Sequence, residues 1–129
     1  MLPAPKRMNR ILIVSDEEFL RDLMRFSLAD LPVEIRCAAG ADEMRRCCRK
    51  GLFDLVIVLH AAPFLCGGDP VRELRPAGLR RPVFYVVTWQ QSEHTVLSLL
   101  ECGVDQYLTF PLNLRRLRAK VAAEIARRS

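Results

Sequence analysis

The chain alternates short, nearly unbroken apolar runs with segments whose apolar residues recur at helical spacing. Residues 10–14 (RILIV) are rich in β-branched side chains, the pattern of a strand buried on both faces. Ser15 ends this run, and Asp16, Glu17 and Glu18 open a helix, where carboxylates sit favourably against the positive end of the helix dipole. Within that helix Phe19, Leu20, Leu23, Met24 and either Phe26 or Leu28 recur at helical spacing, and Leu31-Pro32 stops it. Residues 33–38 predict a second strand, and residues 41–50 a short helix closed by Gly51.

The second half repeats the alternation. Residues 53–59 predict a third strand, and residues 61–70, with two glycines and two prolines, a loop. A helix begins over residues 71–74 but is compromised by Pro76 and finished by Gly78. Residues 82–88 predict a fourth strand, 92–102 a helix capped by Gly103, 105–109 a short fifth strand, and 113–127 a last helix burying Leu114, Leu117, Val121 and Ile125. Five strands alternating with five helices on short connections define a doubly wound α/β fold, a parallel sheet covered on both faces. In such sheets function gathers at the carboxyl ends of the strands. That directs attention to Ser15, Asp16, Leu59, His60, Thr88, Trp89 and residues 109–111.

Composition narrows the picture further. The 129 residues fit one domain, and 50% are hydrophobic, enough for an ordinary core. No apolar run approaches the roughly 18 residues needed to cross a bilayer, and no apolar signal region follows the basic first ten residues. A soluble cytoplasmic protein without membrane contact is expected. The five cysteines, Cys37, Cys47, Cys48, Cys66 and Cys102, match neither a metal-ligand pattern nor an even disulfide framework. They are read as reduced apolar residues, with a thiol switch at Cys47 or Cys48 as the alternative. Much of the net charge of +5 lies near the two ends. No aromatic residues are interleaved with it and no recognition-helix pattern accompanies it, so a solvated face is preferred to direct nucleic-acid binding by the last helix.

Three segments carry a resemblance to a known family: ILIVSDEEFL, FDLVIV followed by Pro63, and DQYLTFPLNLRRLRAKV. In this order they resemble the receiver domain of bacterial two-component response regulators over residues 10–128. The resemblance implies flavodoxin-like architecture, with residues 1–9 as a tail and 10–129 as one receiver-like domain. It also implies a mechanism. A receiver takes a phosphoryl group onto an aspartate that ends its third strand and acts as the nucleophile. An acidic pair after the first strand holds Mg²⁺. A lysine before the final proline and a hydroxyl at the end of the fourth strand bind phosphoryl oxygens.

Position by position, this chain departs from that pattern. Ser15 replaces the first member of the acidic pair, while Asp16 is retained. Leu59, four residues before Pro63, stands at the nucleophile's place, and Phe110, before Pro111, at the lysine's. The hydroxyl position falls on Val87 when counted from Pro82 and on Thr88 when counted back from Gly103; Thr88 is preferred, which places Trp89 where the family has a small residue. Loss of the anion together with its cation leaves no unpaired buried charge. His60 is directed away from the side Leu59 faces, and His94 belongs to an exposed helix start, so neither is read as a substitute nucleophile. Tyr107 matches the family's switching aromatic, with packing against the last helix as the other reading. Phe110-Pro111 matches a bond that is cis in the family, and Gly67 matches its loop glycine.

These residues predict a receiver variant that is not an enzyme and has no cofactor; Asp16 alone makes a poor Mg²⁺ site. Its partners are expected to be proteins, or a second copy of the chain, engaged through the fourth helix, fifth strand and fifth helix. Asp105, Tyr107, Arg116, Lys120 and Arg127 would mark that face, with Asp105 pairing to Lys120 or Arg127 across a dimer. Nucleic acid would be reached only through an output domain outside these residues, because the ending NLRRLRAKVAAEIARR most resembles receivers that precede a DNA-binding domain. The alternatives are phosphorylation at a non-standard residue with magnesium, and redox sensing.

Overall fold

The computed structural model describes residues 8–59, 82–89, 92–101, 103–111 and 113–128. Residues 1–7, the expected loop at 61–70 and the expected helix at 71–74 lie outside the described residues, as do His60, Pro63, Cys66, Gly67 and Cys102. Five strands form one sheet: β1 (Asn9–Val14), β2 (Val33–Ala38), β3 (Leu55–Leu59), β4 (Val83–Thr88) and β5 (Gln106–Thr109). Their order is β2-β1-β3-β4-β5 and every pairing is parallel. Four helices are seen among the described residues: α1 (Glu18–Ser27), α2 (Ala41–Lys50), α3 (Glu93–Glu101) and α4 (Leu114–Arg128). The fourth and fifth helices expected from sequence are therefore α3 and α4.

The apolar runs become strands because both sheet faces are covered. All five residues of β3 are buried, as are the last four of β1 and the last five of β4. Alternation divides these side chains between two cores. Ile11, Ile13, Leu55, Ile57, Leu59, Tyr85 and Val87 pack with Met24 of α1, with Leu28, and with Leu117, Val121 and Ile125 of α4. On the opposite face Leu12, Val14, Val56, Val58, Phe84 and Val86 pack with Met44 of α2, Phe53 and Val104.

Two carboxylates trim the starts of strands. Asp54 accepts the Arg10 backbone N–H at 2.8 Å, and Asp105 accepts that of Phe84 at 2.8 Å. A bidentate pair, Arg118 to Asp30 at 3.0 and 2.6 Å, ties α4 to the turn after α1. The guanidinium holds the Asp30 carboxyl below its ordinary value. Both groups are exposed, so this contact orients more than it stabilises.

The sheet fixes the rotation of α1 about its own axis. Phe19 and Phe26 are 73% and 83% exposed, whereas Leu20, Met24 and Leu28 meet the sheet. Positions i, i+4 and i+8 form one straight row on a helix, and that row, not the two phenylalanines, lies over β1 and β3. Leu28→Ala should therefore cost about 2–5 kcal/mol, whereas Phe26→Ala should change stability by no more than about 0.5 kcal/mol. Urea unfolding of the two variants checks the rotation.

Candidate functional site

The order β2-β1-β3 places the reversal of the winding between β1 and β3, where doubly wound sheets open a crevice at their carboxyl edge. Ser15 follows β1 and is fully buried. Its Oγ accepts the Glu17 N–H at 3.1 Å, its N–H donates to the Ala38 carbonyl at 3.0 Å, and its own carbonyl accepts from the Arg21 guanidinium at 2.6 Å. The hydroxyl is thus used locally to turn the chain into α1. Asp16 next to it is exposed.

Leu59, the last residue of β3, is fully buried and lies opposite Val87 in the β3–β4 ladder. Both belong to the core beneath α1 and α4. Thr88 is one residue on, so alternation directs its side chain to the face of Phe84 and Val86. Val87 offers no hydroxyl on the side that Leu59 faces.

Trp89 follows the same alternation back to the Leu59 side. It is 55% exposed, and its ring lies 5.1 Å from that of Phe110 with 46° between the planes. Phe110 is held at this height by its own N–H, which donates to the Thr88 carbonyl at 3.0 Å. The Phe110-Pro111 bond is cis, in agreement with the expectation. Leu59, Trp89 and Phe110 come together around one pocket of about 410 Å³, lined also by Glu17, Leu20, Leu23, Met24 and Leu114. Ser15, Asp16 and Thr88 do not line it. Glu17 escaped the sequence reading because three acids in a row give no phase, and only the turn at Ser15 decides which one faces the pocket. Among the described residues no group of three or more His, Cys, Asp or Glu side chains is placed to hold a metal ion.

The expected interaction face is assembled in part. Arg116 and Lys120 are four residues apart on α4 and line a smaller pocket of about 190 Å³ with Thr109, Pro111 and Asn113. The Asn113 side chain accepts the Arg116 backbone N–H at 3.1 Å and so caps the helix. Asp105 and Arg127 already have work within the chain. One Asp105 oxygen takes the Phe84 N–H. Arg127 donates to Glu124 at 2.7 Å, and Glu124 in turn accepts the Tyr85 hydroxyl at 3.4 Å. That trio, with Tyr85 and Glu124 buried and Arg127 exposed, links the middle of the sheet to α4 and was not anticipated, because a glutamate among arginines on the last helix reads as surface. Tyr107 corrects one of its two readings: it packs against the core away from α4, and its hydroxyl donates to the Trp89 carbonyl at 3.4 Å. Cys37, Cys47 and Cys48 are free thiols, half-buried. Burial, with Cys47 alongside, pushes the Cys48 thiol up to about 11, which leaves little of the reactive thiolate.

The comparisons with known proteins agree with this architecture. The family model of the response regulator receiver domain matches residues 11–122, so the chain belongs to the response regulator receiver domain family. It is 30% identical over 121 residues to the alkaline phosphatase synthesis transcriptional regulatory protein PhoP of Bacillus subtilis, a match covering 94% of this chain and 50% of that protein. It is 29% identical over 112 residues to the transcriptional regulatory protein DltR of Streptococcus agalactiae, covering 87% and 50%. The response regulator protein PilR of Pseudomonas aeruginosa matches at 30% identity, over 94% of this chain and 27% of that protein. The chain thus spans half or less of these relatives. Among solved structures, a CheY-like receiver domain protein from Methanospirillum hungatei superposes with a TM-score of 0.79 at 25% identity, covering 94% and 96% of the two chains. No helix of the described residues is long and apolar enough to cross a membrane.

The trio on α4 makes a testable prediction. Burial first, and then the Glu124 carboxylate, raise the Tyr85 phenol from 10.0 to about 12. The fold thus favours the neutral phenol, a contribution complete below pH 10.0 and lost as pH rises through about 12. Glu124→Gln should lower the Tyr85 value but leave it above the ordinary one, since burial remains. Phenolate absorbance against pH, with Tyr85→Phe as the assignment control, reads it out.

Proposed function

We propose that this chain is a receiver whose output does not depend on aspartyl phosphorylation, and that it acts by contact with a protein partner or a second copy of itself. The observation that carries the reading is Leu59 at the end of β3, fully buried in the place where the family carries its nucleophile. A leucine has no oxygen with which to attack phosphorus. The surroundings support the reading. Phe110 stands where a phosphate-binding lysine would be, Val87 is apolar, and Ser15 spends its hydroxyl on the turn into α1. Asp16, the retained acid, would leave Mg²⁺ short of the oxygen ligands it requires. Loss of both charges replaces a hydrated ionic site with an extension of the core, which costs less than retaining either charge alone.

In a longer chain such a domain would pass its state to an output domain. The relatives named as transcriptional regulators support DNA as the eventual target of such an output, reached through segments beyond this one. The contact face on this reading is α3, β5 and α4, with Tyr107 at its edge and Arg116 and Lys120 as its cations. Asp105 and Arg127 contribute less than their sequence positions suggest, because each is engaged within the chain.

Incubation with Mg²⁺ and acetyl phosphate, followed by intact mass measurement, should give no phosphoryl gain. A stable adduct would overturn the proposal, and its position would identify the acceptor. If the chain self-associates through the proposed face, the double charge reversal Arg116→Glu with Lys120→Glu should weaken the dimer by about tenfold or more while leaving the fold intact. Light scattering over a concentration series distinguishes this from a face that makes no contact, for which the oligomeric state would not change.

A further inference from the structure

The pocket beside Leu59 has a chemistry of its own. Its volume, about 410 Å³, lies within the range of small-molecule sites. Four aliphatic side chains and Met24 form its walls, the rings of Trp89 and Phe110 stand at one side, and Glu17 is the one charged group among its described lining residues. Among the described residues no lysine, arginine or hydroxyl lines it, so from these a phosphoryl group or other oxyanion would meet a carboxylate and no donor side chain. The same lining suits the opposite kind of molecule. An apolar body would be driven in by burial, while a positive charge would find a carboxylate and two aromatic faces. Trp89, more than half exposed, is apolar surface that an occupant would cover, and Met24 is the flexible side chain best able to adapt to one.

We infer that this pocket is a binding site for a small aromatic amine in its cationic form, seated against Leu59, Trp89 and Phe110 with its ammonium at Glu17. The inference rests on the phosphorylation-independent reading and gives that receiver an input of a different chemical class at the same end of the sheet. Because Tyr107 donates to the Trp89 carbonyl, an occupant that shifts Trp89 would also act on the strand that borders the proposed contact face.

Trp89 is the only tryptophan, so its fluorescence reports on the site directly. The full chain would be titrated with phenethylamine, with phenethyl alcohol as the neutral match, and with phenylpropionate as the anionic one. Saturable changes are expected for the amine, with Kd on the order of 1 mM for so small a molecule. The amine should bind about threefold or more tighter than the alcohol, and the carboxylate should bind more weakly than both. Glu17→Gln, an exposed change that leaves the core untouched, should bring the amine to parity with the alcohol and leave the alcohol unaffected. A response that fails to saturate, a carboxylate that binds as well as the amine, or an amine preference that survives Glu17→Gln would overturn the site. Failure of the underlying reading would instead appear as a phosphoryl adduct by mass, whereas a chain that takes neither phosphate nor amine would sink the ligand site alone.

Discussion

A parallel sheet covered on both faces leaves each strand no freedom over which of its side chains reaches a given side. In this protein β1, β3 and β4 are buried on both faces, and their alternate residues divide between a core beneath α1 and α4 and another beside α2. The division runs on to the last residue of each strand. It places Leu59 and Val87 on one side, carries Trp89 back to that side, and sends Thr88 to the other. The character of the crevice at the sheet's carboxyl edge follows from this alternation more than from any single contact.

With that placement fixed, charge decides what the crevice can do. An ionic receiver site needs an anion to accept the phosphoryl group, acids to hold a metal and a cation to steady the product, and each compensates the others' burial. On the proposed reading apolar side chains, Leu59 and Phe110, stand at the acceptor and cation positions together, and the core beneath α1 and α4 extends to the edge of the sheet. What remains polar has been drawn into structure: Ser15 turns the chain into α1, Asp105 holds the start of β4, and Glu124 joins Tyr85 to Arg127. The rotation of α1 belongs to the same arrangement, because it brings Leu20, Leu23 and Met24 to the pocket's wall and leaves Phe19 and Phe26 outside.

Much of this was legible in the sequence. The strands lie within two residues of their expected bounds, because continuous β-branched runs such as LVIVL have few other ways to be buried. The family, the cis Phe110-Pro111 bond and the meeting of Leu59 with Phe110 and Trp89 were also readable, since each depends on a short motif at a strand end. The count to the hydroxyl position gives Val87 from one side of β4 and Thr88 from the other, and alternation sends these two side chains to opposite faces of the sheet. The buried face of α1 was left open in the sequence, because five large apolar side chains on ten residues leave the helix phase undetermined until the sheet selects it. The roles of Asp105 and Glu124 depend on partners 21 and 39 residues away, a separation at which charge patterning carries no signal.

The most direct test of an apolar, phosphate-refusing crevice is an amide NMR titration of the chain with Mg²⁺ and then beryllofluoride, which imitates a phosphoryl group on a receiver's carboxylate. The account predicts that the amides of Leu59, Trp89 and Phe110 stay where they are through both additions. Saturable shifts converging on those three residues would contradict it, since they would mean that the crevice still assembles an oxygen-rich site.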